Sequence, residues 1–306
     1  MSELLHILQI LIPLLWAVAL AGLAAYILGV ARQITYVTLA DGRRSERRLP
    51  LSFRILLPLA PNLDPLTHSP GMRPVVERTE GTLIAAGFEG LLSAREFLAI
   101  KLLMPLTFGL LWLVGVQTLD RTLGVFGRGV WPTALLGVVW SYLYPMLWLR
   151  QALKARHLSI QRALPFVLDL LTLSVEAGLD FMTAMQRNVR RRAIDPLNEE
   201  FIRVIHEIQL GSPRRKALRA MSNRVNLTDL RSVVNALVQA DELGVSIGAI
   251  LRIQSDQIRQ RRFERAEKLA NEAPVKLLGP LMIFIFPAVF LVLLAPVLLQ
   301  LMRPFY

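Results

Sequence analysis

The stretch LLGPLMIFIFPAVFLVLLAPVLLQLM, residues 277–302, is 26 residues long and contains no charged side chain. A bilayer core of about 30 Å needs ~20 helical residues to cross it, so this length and composition predict a transmembrane helix. A central Arg or Asp would cost ~2.5–3.5 kcal/mol on insertion, which makes the absence of charge informative. Three further uncharged apolar runs occupy residues 4–31, 102–119 and 130–149. A buried core helix is the alternative for each run.

The composition agrees with a membrane class. Hydrophobic residues make up 54% of the 306 residues, and the mean hydropathy is +0.46, both high for a soluble globular protein. The first run lacks the basic start of a signal peptide and exceeds the usual apolar length of one, so we interpret it as a retained anchor. The chain contains no cysteine, which excludes disulfides and thiolate metal sites.

Basic residues are distributed unevenly around these runs. Residues 32–101 contain ten Lys and Arg, residues 120–129 contain two, and residues 150–276 contain 22. The positive-inside tendency places the two basic segments in the cytoplasm, and with them both termini in the periplasm. Because juxtamembrane cations are attracted to anionic lipid, the net charge of +12 does not require a nucleic acid partner.

These observations predict an all-α integral membrane protein with four transmembrane helices and a cytoplasmic antiparallel six-helix bundle. The domain boundaries follow from the apolar runs. We expect a first transmembrane helix, a cytoplasmic linker with a short helical segment, a transmembrane hairpin, a cytoplasmic bundle and a last transmembrane helix, at residues 1–31, 32–101, 102–149, 150–276 and 277–306.

Helix-ending and helix-starting residues divide the large basic segment. Glycine is typical of the left-handed position that ends a helix, and Ser or Asp of the position that starts one. EAGLDF (176–181) and ELGVSI (242–247) share this pattern, and LGSP (210–213) is a shorter version. Such short links favour antiparallel neighbours. The candidate joints of the bundle are Glu176, Gly178, Asp180, Gly211, Ser212, Glu242, Gly244 and Ser246.

The segment before the second apolar run has two parts. ADGRRSERRLP and PLAPNLDPLTHSPGMRP are polar or rich in proline, which is typical of a linker. The stretch ERTEGTLIAAGFEGLLSAREFLAIK instead predicts a helical hairpin. Its second helix begins at a capping box formed by Ser93 and Glu96,.

Motifs that suggest chemistry have simpler interpretations. GVSIG (244–248) matches a nucleophile elbow, but that elbow needs a strand before the serine and a histidine after it. The preceding residues are helical in pattern, and no histidine follows Ser246. His206 has no second histidine at zinc-ligand spacing. We therefore expect no catalytic residue, no metal site and no cofactor.

Clusters of arginine and lysine are candidate partner interfaces. The long last helix of the bundle carries several of them beside acidic residues, and Glu264 with Lys268 forms a favourable pair. A solvated charged face and a contact with a partner or lipid both remain open for these clusters. The candidates are Arg190, Arg191, Arg192, Arg214, Arg215, Lys216, Arg259, Arg261, Arg262 and Arg265.

Three stretches carry a family resemblance. They are LSVEAGLDFMTAM (173–185), IQLGSPRRKALRAM (208–221) and ALVQADELGVSIGAILRIQSDQIRQRRFERAEKLANEAPVKLLGPLMIFIFPAVFLVLLAPVL (236–298). In order and spacing they resemble the type II secretion F domain, found in the inner-membrane platform protein of type II secretion systems and type IV pili. The additional N-terminal apolar run, the short first cytoplasmic segment and the proline-rich last run resemble the tight-adherence (Tad) pilus branch and, within it, the TadC-like subunit. The resemblance is best from about residue 152 to residue 302.

This resemblance implies a non-enzymatic role in the bacterial inner membrane. Platform proteins couple a cytoplasmic hexameric secretion ATPase to the extraction of pilin and its assembly into a fibre. The expected partners are that ATPase, a paralogous TadB-like platform protein, pilin, membrane lipid and further copies in a homo- or hetero-oligomer. A small membrane permease is the alternative, although the apolar runs offer no polar path. A membrane hydrolase using Ser246 is a third hypothesis.

Overall fold

The computed structural model describes residues 35–38, 42, 44–47, 49–63, 72–124 and 130–302. Within these ranges the chain is predominantly α-helical, as predicted. The predicted first transmembrane helix, residues 1–31, lies outside the described residues, and so do residues 303–306. Three of the described helices are long and apolar enough to cross a membrane, at Ala94–Arg121, Val130–Glu176 and Ile247–Val297.

The segment expected to be a linker contains ordered elements. Strand β1, Thr35–Thr38, pairs antiparallel with strand β2, Arg44–Arg47. Helix α1, Leu51–Leu56, follows and continues into a 3₁₀ segment, Leu57–Leu63. The linker prediction was wrong for residues 44–47 and 58–63, because we gave the basic and proline-rich composition more weight than two local signals. Those signals are the extended TYVT tetrapeptide and the Gly at position 42, whose φ is 81°,. Residues 64–71 of the proline-rich stretch lie outside the described residues.

The predicted helical hairpin is confirmed. Helix α2, Arg73–Ala86, ends at Gly87 in the left-handed conformation, and helix α3, Ala94–Met104, follows after a short turn. The hydroxyl of Ser93 accepts a hydrogen bond from the backbone N–H of Glu96, and the Glu96 carboxylate accepts one from the backbone N–H of Ser93. The capping box therefore forms as the sequence predicts.

The two central membrane segments pack as an antiparallel pair. A π-helical turn, Pro105–Gly109, leads from α3 into helix α4, Leu110–Leu123. Helix α5, Val130–Glu176, returns alongside it. Gly137 allows this close approach, because a Cβ there would overlap the indole ring of Trp112. The indole N–H donates to the carbonyl of Thr133 at 3.1 Å.

Helix α5 joins the membrane segment to the bundle without a break. It is 47 residues long, which corresponds to about 70 Å of helix. Its second half packs against a series of helices connected by short turns. These are α6 (Phe181–Arg191), α7 (Pro196–Gln209), α8 (Arg214–Val225), α9 (Thr228–Leu243) and α10 (Ile247–Pro280).

The bundle core is formed by side chains from α5 to α10. Apolar residues recur at helical spacing on one face of each helix and meet in the interior. The most deeply buried members include Ile160, Leu164, Leu168, Met185, Leu197, Met221, Leu230 and Leu251. A second core lies where α1, α2, α3 and α5 meet, and is centred on Phe53, which is fully buried. The Phe53 ring lies edge-on to Trp148 at 4.8 Å between ring centroids.

Helix α10 continues past the bundle as an exposed rod. A π-helical turn, Leu281–Ile285, connects it to helix α11, Phe286–Met302. The turn begins directly after Pro280, which cannot donate a helical hydrogen bond. The most apolar stretch of this rod, 18 residues long, contains no buried residue. Such a surface needs lipid or another apolar helix around it.

Candidate functional site

The glycines of the joints adopt the predicted conformation. Gly178, Gly211 and Gly244 have φ values of 91°, 95° and 67°, the left-handed region that glycine tolerates best. Asp180 caps α6, because its carboxylate accepts a hydrogen bond from the backbone N–H of Met182 at 2.9 Å. Asp195 caps α7 in the same way, with Asn198 as donor at 2.7 Å.

Two of the predicted serine caps do not form as expected. Helix α8 begins one residue later than predicted, with Pro213 rather than Ser212 as its N-cap. Ser246 is the N-cap of α10, but its hydroxyl makes no capping hydrogen bond. The acidic residues of these joints bind arginines instead. Glu176 pairs with Arg252 at 3.5 Å, and Glu242 pairs with arginines of α8.

Ser246 lies in a helix–turn–helix, not in a strand–turn–helix. Helix α9 precedes it and α10 follows it, so the backbone geometry of a nucleophile elbow is absent at this position. Among the described residues, no group of three or more His, Asp or Glu side chains is arranged to hold a metal ion. The charged side chains of the bundle form ion pairs with one another instead.

A buried ion-pair network centres on Arg156 of α5. The Arg156 guanidinium bridges the first turn of α7, with Nη1 2.9 Å from Oε2 of Glu199 and Nη2 3.1 Å from Oε1 of Glu200. Arg47 of β2 also binds Glu199. Arg224 of α8 binds Glu200 at 3.2 Å and Glu207 at 2.8 Å. We call these residues the Arg156 network: Arg47, Arg156, Glu199, Glu200, Glu207 and Arg224.

The network is largely shielded from water. Arg156, Glu199 and Glu200 are each 7% exposed. Burial lowers the pKa of the Arg47 guanidinium, against the opposing effect of the nearby Glu199 carboxylate. Buried charges are tolerated where each has partners of opposite sign, and three arginines face three glutamates here. The network therefore joins the membrane helix α5, the bundle helices α7 and α8, and the β-hairpin.

The α2–α3 hairpin closes over this network. Gly87 has a φ of 83°, and a Cβ there would lie 2.7 Å from Cζ of Arg156. In the same turn, the Glu89 carboxylate accepts from Nη2 of Arg203 on α7 at 3.1 Å. The hydrogen bond from Arg203 lowers the pKa of the Glu89 carboxyl below its ordinary value. Arg156, which follows the third apolar run in sequence, is thus packed inside protein.

A second group of ion pairs holds the first half of α10 against α5 and α9. The carboxylate of Asp229, 7% exposed, binds Arg265 at 3.0 Å and Arg261 at 3.4 Å. On α5, Asp169 binds Arg259. The Ser255 hydroxyl also donates to Asp169. We call Asp169, Asp229, Ser255, Arg259, Arg261 and Arg265 the α10 cluster.

The structure separates the candidate partner-interface residues into those that bind other groups of the chain and those that form no ion pair. Arg259, Arg261 and Arg265 belong to the α10 cluster, and Arg262 donates to the backbone carbonyl of Gln161. Arg192 binds Asp195. Other intramolecular pairs join Arg214 to Asp180 and Asp241, and Arg215 to Asp241 and Glu242. Among the described residues, Arg190, Arg191 and Lys216 form no ion pair.

The sequence pointed to the joints but not to the ion-pair networks. Glu199 and Glu200 had one available signal, because they interrupt the buried apolar face of α7 between Leu197 and Phe201. A carboxylate at such a position needs a cation from another element. Arg156 carried no comparable signal, since it follows a membrane segment, where exposed arginine is ordinary.

One comparison with known proteins gives a match. Residues 167–295 match the family model described as Type II secretion system (T2SS), protein F. The match covers less than half of the chain, from the second half of α5 through the bundle into α11. No curated protein and no solved structure matches the chain. The matched segment therefore supports the F-domain family, and together with the apolar helices it points to a multi-pass inner-membrane protein.

Proposed function

We propose that this chain, which carries an F-type domain of the type II secretion system, is the inner-membrane platform subunit of a tight-adherence pilus machine. In this role it couples a cytoplasmic hexameric ATPase to the extraction of pilin from the membrane and its assembly into a fibre. The partners we propose are that ATPase, a TadB-like platform protein and pilin. We further propose that the whole chain has four transmembrane helices, an antiparallel six-helix cytoplasmic bundle and both termini in the periplasm.

The observation that carries this proposal is helix continuity between the membrane segments and the bundle. Helix α5 extends from residue 130 to residue 176 as one helix. The rod formed by α10 and α11 extends from residue 247 to residue 302, with one π-helical turn. The backbone stays helical from the bundle into each membrane segment, so we expect a displacement of the bundle to be transmitted to both.

The two ion-pair groups support the same role. The Arg156 network and the α10 cluster attach each of these long helices to the other helices of the bundle. The buried pairs of the Arg156 network resist separation, because removing one partner leaves an uncompensated charge,. The arginines of the α10 cluster are more exposed, so each of those pairs contributes less,. Force applied to the bundle surface would therefore reach α5 and α10 together. This is the property that an assembly platform requires.

The permease alternative has less support. A groove of about 780 Å³ lies between α4 and α5, but its lining is mostly apolar, with Trp112, Leu136 and Trp140 among its residues. Transport paths for polar solutes are marked by ionisable groups inside the membrane. Residues 102–119 and 130–149 contain no such group.

Interrupting the rod tests the proposal. We expect insertion of three glycines after Asn271, an exposed residue of α10, to abolish surface pili in cells that depend on this chain. Membrane levels of the protein and of pilin should stay normal, since the insertion lies outside the bundle core. Because glycine is a poor helix former, the insert uncouples the bundle from the last apolar segment.

The matched control inserts the same three glycines after Gly211. This residue lies in the turn between α7 and α8, where nothing packs within 4 Å of the position its Cβ would take. Pili should be retained in the control. Normal pilus assembly by the Asn271 insertion would overturn the proposal that the rod transmits movement.

A further inference from the structure

Helix α6 presents a basic face to solvent. Arg187, Arg190 and Arg191 lie three and four positions apart, so they share one side of the helix. With Thr183 and Gln186 they line a shallow depression of about 320 Å³. The opposite side of α6 is buried through Phe181, Ala184, Met185, Asn188 and Val189. We call Arg187, Arg190 and Arg191 the α6 basic face.

The carboxylates closest in sequence to this face have other partners. Asp180, at the start of α6, caps the helix and pairs with Arg214. Asp195, beyond its end, caps α7 and pairs with Arg192. In the part of the chain that the structure describes, no carboxylate pairs with any arginine of the α6 basic face.

The other arginine groups of the bundle differ in this respect. Arg214 and Arg215 of α8 are balanced by Asp241 and Glu242. Arg261 and Arg265 of α10 are balanced by Asp229. These arginines therefore form ion pairs within the chain, and an acidic partner would have to displace the carboxylates that already bind them. The α6 basic face keeps its charge available.

The stability of α6 as a helix does not explain why three arginines share this face. The negative end of the helix dipole favours Arg190 and Arg191 in the last turn. Arg187 lies one turn earlier, where that effect is weak, and its spacing from the other two places like charges next to each other. Like-charge pairs at this spacing destabilise a helix by about 0.2–0.5 kcal/mol each. A negatively charged partner would remove that repulsion.

We propose that the α6 basic face docks an acidic segment of a cytoplasmic protein. The inference rests on the proposed function and assigns the surface that the ATPase contacts. The depression between the three guanidinium groups and the polar Thr183 and Gln186 suits carboxylates, since arginine binds them through two parallel hydrogen bonds,. Exposed charge complementarity of this kind chiefly accelerates association and fixes orientation.

The position of α6 favours a protein over a lipid surface. Taking Arg150 as the membrane boundary, α5 extends 26 residues further to Glu176, or about 40 Å,. Helix α6 then returns over its 11 residues, about 16 Å,. The basic face therefore lies roughly 24–30 Å from the boundary. At physiological salt the Debye length is ~8 Å, so headgroup charge is largely screened at that distance.

The test compares two charge-matched variants of the full chain in phosphatidylcholine nanodiscs. One carries R187Q, R190Q and R191Q. The control carries R73Q, R78Q and K268Q, which remove three exposed cations from other parts of the chain. Binding of the purified secretion ATPase from the same organism is measured at about 0.05 M and 0.5 M salt, where screening differs strongly. Phosphatidylglycerol vesicles form a second arm, and thermal unfolding of each variant confirms folding.

We expect the α6 variant to bind the ATPase at least about ten-fold more weakly at low salt, with a smaller difference at high salt. The control should stay within about two-fold of the unmodified chain. Equal ATPase binding by the α6 variant would overturn this inference and leave the proposed function standing. Loss of vesicle binding without loss of ATPase binding would assign the face to lipid. No ATPase binding by the unmodified chain would contradict the proposed function itself.

Discussion

At the scale of single residues, Arg156 has the largest expected effect on stability. Its guanidinium binds two buried carboxylates, Glu199 and Glu200, on a neighbouring helix. Replacing Arg156 with Met approximately keeps the side-chain volume, but each of the two carboxylates loses one positively charged partner. We expect R156M to destabilise the fold by roughly 3 kcal/mol, which corresponds to a fall in Tm of about 6–12 °C for a domain of this size.

Tryptophan fluorescence during heating in detergent measures this effect. R150Q is the matched control, because Arg150 is exposed on the same helix and surface changes usually stay within about 0.5 kcal/mol. R156K should fall between the two, since lysine keeps the charge but cannot bridge both carboxylates with one planar group. A Tm for R156M equal to that of R150Q would show that the network does not stabilise the fold.

Gly87 allows a second prediction at this scale. Alanine at a positive φ costs roughly 1–2 kcal/mol in backbone strain, and at Gly87 its Cβ would also overlap the Arg156 guanidinium. Gly178 has a similar φ with open space around it. We therefore expect G87A to lower the Tm more than G178A. The difference should disappear when both changes are made in an R156A background, and its persistence there would contradict the proposed contact.

At the scale of elements, the α10 cluster determines how much of the length of α10 stays packed against the bundle. Asp229 of α9 binds Arg261 and Arg265, which lie beyond the last buried residue of α10, Ile258. Changing Asp229 to Asn keeps the shape but removes the charge. We expect faster amide hydrogen exchange over residues 259–276, because local opening needs less free energy where few buried contacts remain.

Exchange measured by mass spectrometry tests this prediction. D256N is the matched control, since Asp256 is exposed on α10 and its removal leaves the cluster intact. Exchange in the core of α9 should stay slow in both variants. Unchanged exchange over residues 259–276 in D229N would mean that these ion pairs do not hold the helix.

The contact between the α2–α3 hairpin and α7 should depend on pH. The hydrogen bond from Arg203 lowers the pKa of the Glu89 carboxyl in the folded state. The unfolded chain therefore binds this proton first as pH falls, and the stabilisation is present above the ordinary pKa of 4.5. It is lost as pH falls further, through the lowered pKa of the folded state.

Comparison with E89Q isolates this contribution. The unmodified chain should have the higher Tm at neutral pH, and the difference should narrow once the pH falls below the ordinary carboxyl range. Glu207, the other carboxylate beside Arg203, is present in both proteins and so does not account for the change. A difference in Tm that stays constant down to acidic pH would contradict the assignment.

At the scale of the whole molecule, the proposed sidedness makes a direct prediction. The chain contains no cysteine, so single-cysteine variants can be labelled without interference. Arg121 is exposed in the last turn of α4, at one end of the membrane hairpin. Gln209 is exposed at the end of α7. We expect R121C to react with a membrane-impermeant maleimide on intact spheroplasts, and Q209C to react only after lysis. The reverse pattern would invert the proposed topology.

The sequence alone predicts what depends on neighbouring residues. The uncharged runs at residues 102–119, 130–149 and 277–302 predicted the three long apolar helices of the described residues, because each residue contributes separately to the cost of lipid insertion. Gly178, Gly211 and Gly244 predicted the ends of helices, because left-handed backbone is a local requirement. Ser93 with Glu96 predicted a capping box for the same reason. The pairing of strands β1 and β2 was missed, because their short extended pattern is weak beside its polar and basic surroundings,.

Only the tertiary structure decides which charges are free. Arg190 and Arg265 are indistinguishable in sequence, since each follows other basic residues on a helix. Folding brings Asp229, 36 residues away, to Arg265, and brings no carboxylate of the described chain to Arg190. Ion pairs between distant residues depend on how helices pack, and that packing follows from the apolar core rather than from the charges. The same packing buries Arg156 and leaves the α6 basic face open to a partner.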